Sequence, residues 1–179
     1  SLVMATCRGL MRVSAEQQLS PTAVLQRVNR LLFADIREDM FVSLAYCVLD
    51  SVSGEVTLTR AGHDPPLFFH RADGTIEPVK PPGLALGVDR GPVFNRATRE
   101  MTFRMESGDR LLLYTDGVTE ALEASSRDEF GEERLAAVFR DQAAAGAAAS
   151  VLQPDNASHG ALKTPRGWPL KHRKPDSRL

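Results

Sequence analysis

An α+β fold is what this 179-residue sequence predicts. Three observations carry the prediction. Two short amphipathic helical stretches open the chain, several strands joined by tight turns follow, and a further helical stretch comes after the strands.

The first helical stretch, 2 to 13, places Val3, Cys7, Leu10 and Met11 at helical spacing. Ser20-Pro21 then supplies an N-cap followed by proline at the first helical position. The second helix carries Val24, Leu25, Val28, Leu31 and Leu32 on one side and ends near Phe33. From Phe41 to Leu49 the chain turns apolar, aromatic and β-branched, which is strand character. Asp50 to Gly54 reads as a turn, and Glu55 to Arg60 alternates as the return strand. Leu67 to His70 and Thr75 to Val79 flank Asp73-Gly74, a hairpin signal. Glu100 to Met105 and Arg110 to Thr115 flank Ser107-Gly108-Asp109 and read as another hairpin. Thr119 to Glu123 has helical character, and a last helix is expected from about Glu132 to Ala145.

Composition bounds the class. Hydrophobic residues make up 42% and charged residues 25%, and Val, Leu, Ile and Phe together number 45, enough for a real core. No apolar run approaches the ~20 residues needed to span a bilayer, so no membrane role is expected. A net charge of -1 gives no global field toward nucleic acid. Cys7 and Cys47 form no C-x-x-C pair and no disulfide framework, and no secretory signal is visible, so a cytoplasmic protein is expected. The chain opens on Ser1 inside a helical stretch, which reads as a fragment.

The chain divides near residue 150. Residues 1–153 hold 16 basic and 21 acidic side chains, a net of -5, whereas 154–179 hold 6 and 2, a net of +4. Four prolines and no apolar periodicity mark the segment 151–179 as a basic tail expected to be disordered. A basic tail can be a nucleic-acid arm, but no aromatic stacking motif accompanies it, and no nucleic-acid partner is expected.

No P-loop, G-x-G-x-x-G, G-x-S-x-G or H-E-x-x-H segment is present, and the four histidines never pair at metal-ligand spacing. The informative segment runs from Gly108 to Glu120. A strand delivers Asp116 at its carboxyl end, and Gly117 lets the backbone turn sharply into the helical stretch. Asp116-Gly117 is either a plain turn or a carboxylate placed for a hard cation such as Mg²⁺ or Mn²⁺. His63-Asp64, followed by Pro65-Pro66, is either a general acid/base couple or a loop-holding pair. Gly83-Leu-Ala-Leu-Gly87 is a glycine-bracketed apolar turn without chemistry of its own.

In order, Phe41 to Asp50, Ala61-Gly-His-Asp-Pro-Pro-Leu67, Gly83 to Val88, Gly108 to Ala121 and Phe130 to Leu135 resemble the SpoIIE-like branch of the PPM-type protein serine/threonine phosphatases. The resemblance covers roughly residues 1–140 and is placed on 1–150 as a partial phosphatase domain. It implies a PPM-like α/β sandwich of largely antiparallel sheets flanked by helices, here incomplete. It implies two Mn²⁺ or Mg²⁺ ions that activate a water against phosphoserine or phosphothreonine. Asp116 matches the family's metal-binding aspartate, with Gly117, His63 and Asp64 shaping the site. The implied substrate is a phosphorylated anti-anti-sigma-type protein in a bacterial switch, and an upstream sensor domain would signal through the two leading helices. The family's first metal-binding aspartate and its Asp-x-x-Gly-His-Gly segment have no match in this sequence. Its closing Asp-Asp strand has only Asp155-Asn-Ala-Ser158 opposite it, followed by a stretch that does not read as strand. Asp155 therefore receives no metal role. A catalytically inactive remnant that binds a protein partner is the alternative.

Overall fold

The computed structural model describes residues 2–17, 20–37, 39–123, 128–146 and 170–171. The chain forms two compact units, Ser1–Pro65 with Val79–Glu106 and Pro66–Pro78 with Ser107–Leu179.

The first unit opens with helices α1 (Leu2–Ala15) and α2 (Pro21–Asp35). The N-terminus of α2 is capped as its sequence requires. Ser20 Oγ accepts the Ala23 N–H at 3.3 Å, and the Glu100 carboxylate accepts the Thr22 N–H at 3.1 Å. Val24, Leu25, Val28 and Leu32 are fully buried, but Leu31 is 39% exposed, contrary to its expected place on that face. The fifth inward position belongs to Asn29, also fully buried. Residues 29 and 31 flank the buried stripe on opposite edges, and Asn29 is drawn inward by hydrogen bonds to the Gly87 N–H and the Asp89 carbonyl.

Strands β1 (Leu44–Leu49) and β2 (Glu55–Ala61) form an antiparallel pair across the expected 50–54 turn. Asp50 Oδ1 accepts the Val52 and Ser53 N–H groups, and Gly54 takes a φ of 74°. The strand starts at Leu44 rather than Phe41, because Val42 instead exchanges two backbone hydrogen bonds with Leu86. The unit continues through α3 (Pro92–Ala97), which sequence reading missed, and a strand over Glu100–Arg104 completes its sheet. Cys7, Val24, Leu25, Val28, Leu32, Val42, Ala61, Leu86 and Phe94 form its core. Each such apolar side chain contributes about 1.5–3 kcal/mol when fully buried.

The second unit begins with β3 (Leu67–Phe69) and β4 (Ile76–Pro78), paired across the Asp73-Gly74 turn as expected, with Gly74 at φ 72°. The chain then returns to the first unit for α3 and β5 (Glu100–Arg104) before β6 (Arg110–Leu112). The expected hairpin between these two strands does not form. β5 pairs with β2 in a sheet of order β1-β2-β5, and β6 pairs with β3 in a sheet of order β4-β3-β6. The turn between them bonds elsewhere, since the Asp109 carboxylate accepts the Arg71 N–H at 2.8 Å.

Helix α4 (Asp116–Thr119) is a single turn, and β7 (Leu122–Glu123) follows it where helix was expected. The Ala121 carbonyl accepts the Phe130 N–H, and Leu122 bridges Glu129, which draws this stretch into extended pairing. Helix α5 (Gly131–Ala144) lies within one residue of its expected bounds. Leu67, Phe69, Tyr114, Phe130, Leu135, Phe139 and Ala143 make the second core, with Phe69 and Phe139 edge to face at 6.3 Å. Of the basic tail, the structure describes only β8 (Leu170–Lys171), antiparallel to β7, so the strandless reading of that stretch fails at these two residues. The expectation of disorder otherwise lies outside the described residues, as does Asp155.

Candidate functional site

In the second unit, β6 leads through Leu113 to Tyr114, which is buried in the core. Thr115 is extended (φ −118°, ψ 161°), and the chain enters α4 at the next residue. The Val118 N–H bonds to the Thr115 carbonyl and the Glu120 N–H to that of Asp116, closing the turn. Asp116 is exposed, and its carboxylate accepts no hydrogen bond from the described residues. The core strand thus anchors the turn while leaving the acid in solvent. The sharp turn expected of Gly117 is made at Thr115, and Gly117 has no positive φ. A Cβ at 117 would meet only Thr115 Oγ1, at an ordinary 3.7 Å.

His63 and Asp64 belong to the first unit, where β2 ends. Gly62 turns the chain at φ 65°, and a Cβ there would stand 2.8–3.0 Å from Ala85. Only glycine fits both requirements. His63 is half-buried, with Nδ1 3.4 Å from Ser43 Oγ. The His63 carbonyl accepts from Arg60 Nη1, and Arg60 Nε donates to the Pro81 carbonyl at 3.1 Å. Asp64 makes no hydrogen bond or ion pair with the described residues. The structure therefore brings His63 together with Ser43 and Arg60, and it holds the loop through backbone carbonyls. The side chain that holds this loop is that of Arg60, through the Pro81 and His63 carbonyls.

The glycine-bracketed segment 83–87 packs in the same unit. A Cβ at Gly83 would overlap the Arg60 carbonyl, and one at Gly87 (φ 89°) would overlap the Ile36 side chain. Sequence reading missed the polar latch beside it. Asn29 Oδ1 accepts the Gly87 N–H, and Asn29 Nδ2 donates to the Asp89 carbonyl, each at 2.9 Å. The Asp89 carboxylate accepts the Gly91, Val93 and Phe94 N–H groups. The bonds from Phe94, Gly91 and Val93, outweighing desolvation, hold Asp89 below the usual carboxylate range. Asp89-x-Gly91-Pro92 was the available signal: a capping acid before a proline-led turn. Burial pushes both the Cys7 and Cys47 thiols up, away from nucleophilic reactivity.

A two-ion centre needs several oxygen ligands around each ion. Among the described residues no group of three His, Cys, Asp or Glu side chains stands ready to hold a metal ion. Asp116 is a suitable single donor, but the described residues do not fit a complete centre.

The family described as Stage II sporulation protein E (SpoIIE) matches residues 1–160. The chain belongs to the SpoIIE family. It is 27% identical over 120 residues to the phosphoserine phosphatase RsbU of Bacillus subtilis (strain 168), a match covering 67% of this chain and 35% of RsbU. It is 31% identical over 96 residues to the protein IcfG of a Synechocystis species, covering 54% of this chain and 14% of IcfG. The chain thus spans about a third of one curated relative, 35%, and less of the other, 14%. The solved RsbU and RsbW domains of Rv1364c from Mycobacterium tuberculosis align with a TM-score of 0.66 at 25% identity, over 80% of this chain and 38% of that one. The SiaA-PP2C domain of Pseudomonas aeruginosa aligns with a TM-score of 0.65 at 18% identity, over 80% and 55%. The SpoIIE-family fold is therefore a PP2C-type phosphatase fold, and the α+β, PPM-like expectation holds. Among the described residues no helix is long and apolar enough to cross a membrane.

Proposed function

We propose that this chain is part of a PPM-type protein phosphatase that hydrolyses phosphoserine or phosphothreonine in a regulatory protein. The substrate class is a phosphorylated anti-anti-sigma-type protein of a cytoplasmic bacterial switch, and an upstream sensor domain would act through α1 and α2. One observation carries the reading. Within a chain matched by the SpoIIE family over residues 1–160, the segment that leaves β6 passes through the buried Tyr114 to an exposed Asp116, unpaired among the described residues and followed by Gly117. We assign Asp116 as one carboxylate of the Mn²⁺ or Mg²⁺ site. Gly117 shapes that turn, and His63 and Asp64 shape the loop that follows β2.

Asp116 alone cannot order two cations, so the isolated chain is expected to turn over a phosphoserine peptide little or not at all in Mn²⁺. A protein in which the family's upstream aspartate, its Gly-His-Gly segment and a closing Asp-Asp strand accompany this chain should be active. Asp116→Asn should then abolish activity while the fold survives. Robust turnover by the 179-residue chain, lost in EDTA, would overturn this assignment of ligands.

The lack of any three-ligand group among the described residues favours a second reading, a partner-binding module without turnover. A completed domain that stays inert yet still binds the phosphorylated partner would select it.

A further inference from the structure

We propose that Arg60, His63 and Ser43 form a phosphate-binding subsite in the first unit, one that takes the phosphoryl group of a phosphoserine segment. The choice of phosphoserine over free phosphate rests on the phosphatase reading above; the anion chemistry does not. Arg60 sits on β2 one residue before its end and is half-buried. A guanidinium carries five N–H donors, and here Nε and one Nη1 hydrogen go to the Pro81 and His63 carbonyls, leaving three. No carboxylate pairs with Arg60 among the described residues, Asp64 included.

A half-buried cation with no counter-charge has lost hydration and gained only carbonyl dipoles in return. The two carbonyls also fix the plane of the fork, so binding an anion there costs little further ordering. Phosphate suits such a fork, because charge-assisted bonds to a planar guanidinium are shorter and stronger than neutral ones. Beside it the chain presents further donors. They are the exposed Ser43 hydroxyl and the His63 imidazole, whose Nδ1 stands 3.4 Å from it, while the His63 carbonyl accepts from Arg60 and ties this loop to the guanidinium. Gly83 lets the 81–86 segment close against the Arg60 backbone, and Gly62 lets the 62–65 loop close against Ala85, with no side chain in the way at either glycine. Cation, imidazole and hydroxyl at one strand end make an oxyanion cradle that involves no metal ligand.

The test is an amide NMR titration of the 179-residue chain in EDTA, with inorganic phosphate, a phosphoserine peptide and the same peptide unphosphorylated. Saturable shifts at Ser43, Gly62, His63 and Ala85 are expected with phosphate and, more strongly, with the phosphopeptide. The unphosphorylated peptide should produce none. Arg60→Gln keeps a donor for one carbonyl but removes the charge, and should weaken binding about tenfold or more. Should that variant fail to fold, Ser43→Ala, at an exposed hydroxyl, should still weaken binding measurably. Equal affinity for the two peptides, or no saturable shift at these residues in the parent chain, would overturn the subsite. Failure of the phosphatase reading looks different: an assembled domain that never turns over substrate would leave metal-free binding at Arg60 intact.

Discussion

Asn29 and Gly87 are joined by a hydrogen bond of 2.9 Å inside the first core, although Asn29 stands on the apolar face of α2. The same amide reaches the Asp89 carbonyl, so one polar side chain fixes the helix to the 87–91 segment and, through Asp89, to the start of α3. Replacing it strands the buried Gly87 N–H away from water and takes the partner from the half-buried Asp89 carbonyl. Asn29→Ala is expected to cost about 2–4 kcal/mol, because each unsatisfied buried group costs roughly 1–3 kcal/mol. Urea unfolding would register this as a lower midpoint at unchanged slope.

Two glycines are expected to respond in opposite directions. Gly83→Ala drives a methyl into the Arg60 carbonyl and should destabilise by more than ~2 kcal/mol, since backbone cannot move aside as a side chain can. Gly9→Ala, in the middle of α1 with nothing within 4 Å of the added carbon, should stabilise by about 0.5–1 kcal/mol. Thermal melts of the two variants beside the parent chain would check both signs.

Acid should weaken the fold through Asp89, Asp50 and Asp73, each held below the ordinary carboxylate range chiefly by backbone N–H bonds. A depressed folded-state value means the unfolded chain binds protons first as pH falls. The contribution is therefore whole above the unfolded value of about 3.9 and is lost as pH falls through the lower folded value. Urea midpoints measured from pH ~5 downward should drop in that window. Asp89→Asn retains an acceptor for the three N–H groups and should flatten part of the drop.

Asp116→Asn should leave stability within about 0.5 kcal/mol, since its exposed carboxylate bonds to nothing among the described residues. A marked fall in melting temperature would assign the residue to holding the turn and would weaken its claim to a cation.

What could be read from the sequence was local. Ser20 before Pro21 announces its own cap, and Asp73-Gly74 announces its hairpin, because the chemistry of each turn lies within four residues. The strand Glu55–Ala61 is legible from its alternation, which the burial follows as far as Leu58 before the buried Thr59 breaks it. What failed was non-local. Ser107-Gly108-Asp109 looks like a hairpin turn, yet nothing in it reveals that Asp109 bonds Arg71 or that β5 and β6 join different sheets. Leu31 and Asn29 changed places because periodicity ranks residues by polarity, and a buried amide becomes visible only with the loop it bonds. At the candidate site, Asp116 and His63 stood out by residue type and neighbours. Arg60 did not, because its carbonyl partner Pro81 lies 21 residues away.

The interleaving of the two units has a consequence for synthesis on the ribosome. Residues Pro66–Pro78 emerge before Val79–Glu106 completes the first unit, while their own sheet partner β6 follows only after Ser107. The β3–β4 hairpin must therefore wait with Phe68 and Phe69 uncovered, and an isolated two-stranded hairpin is marginal in water. A nascent chain stalled near Glu106 should carry a finished first unit beside a sticky, unfinished loop, a natural target for chaperone capture.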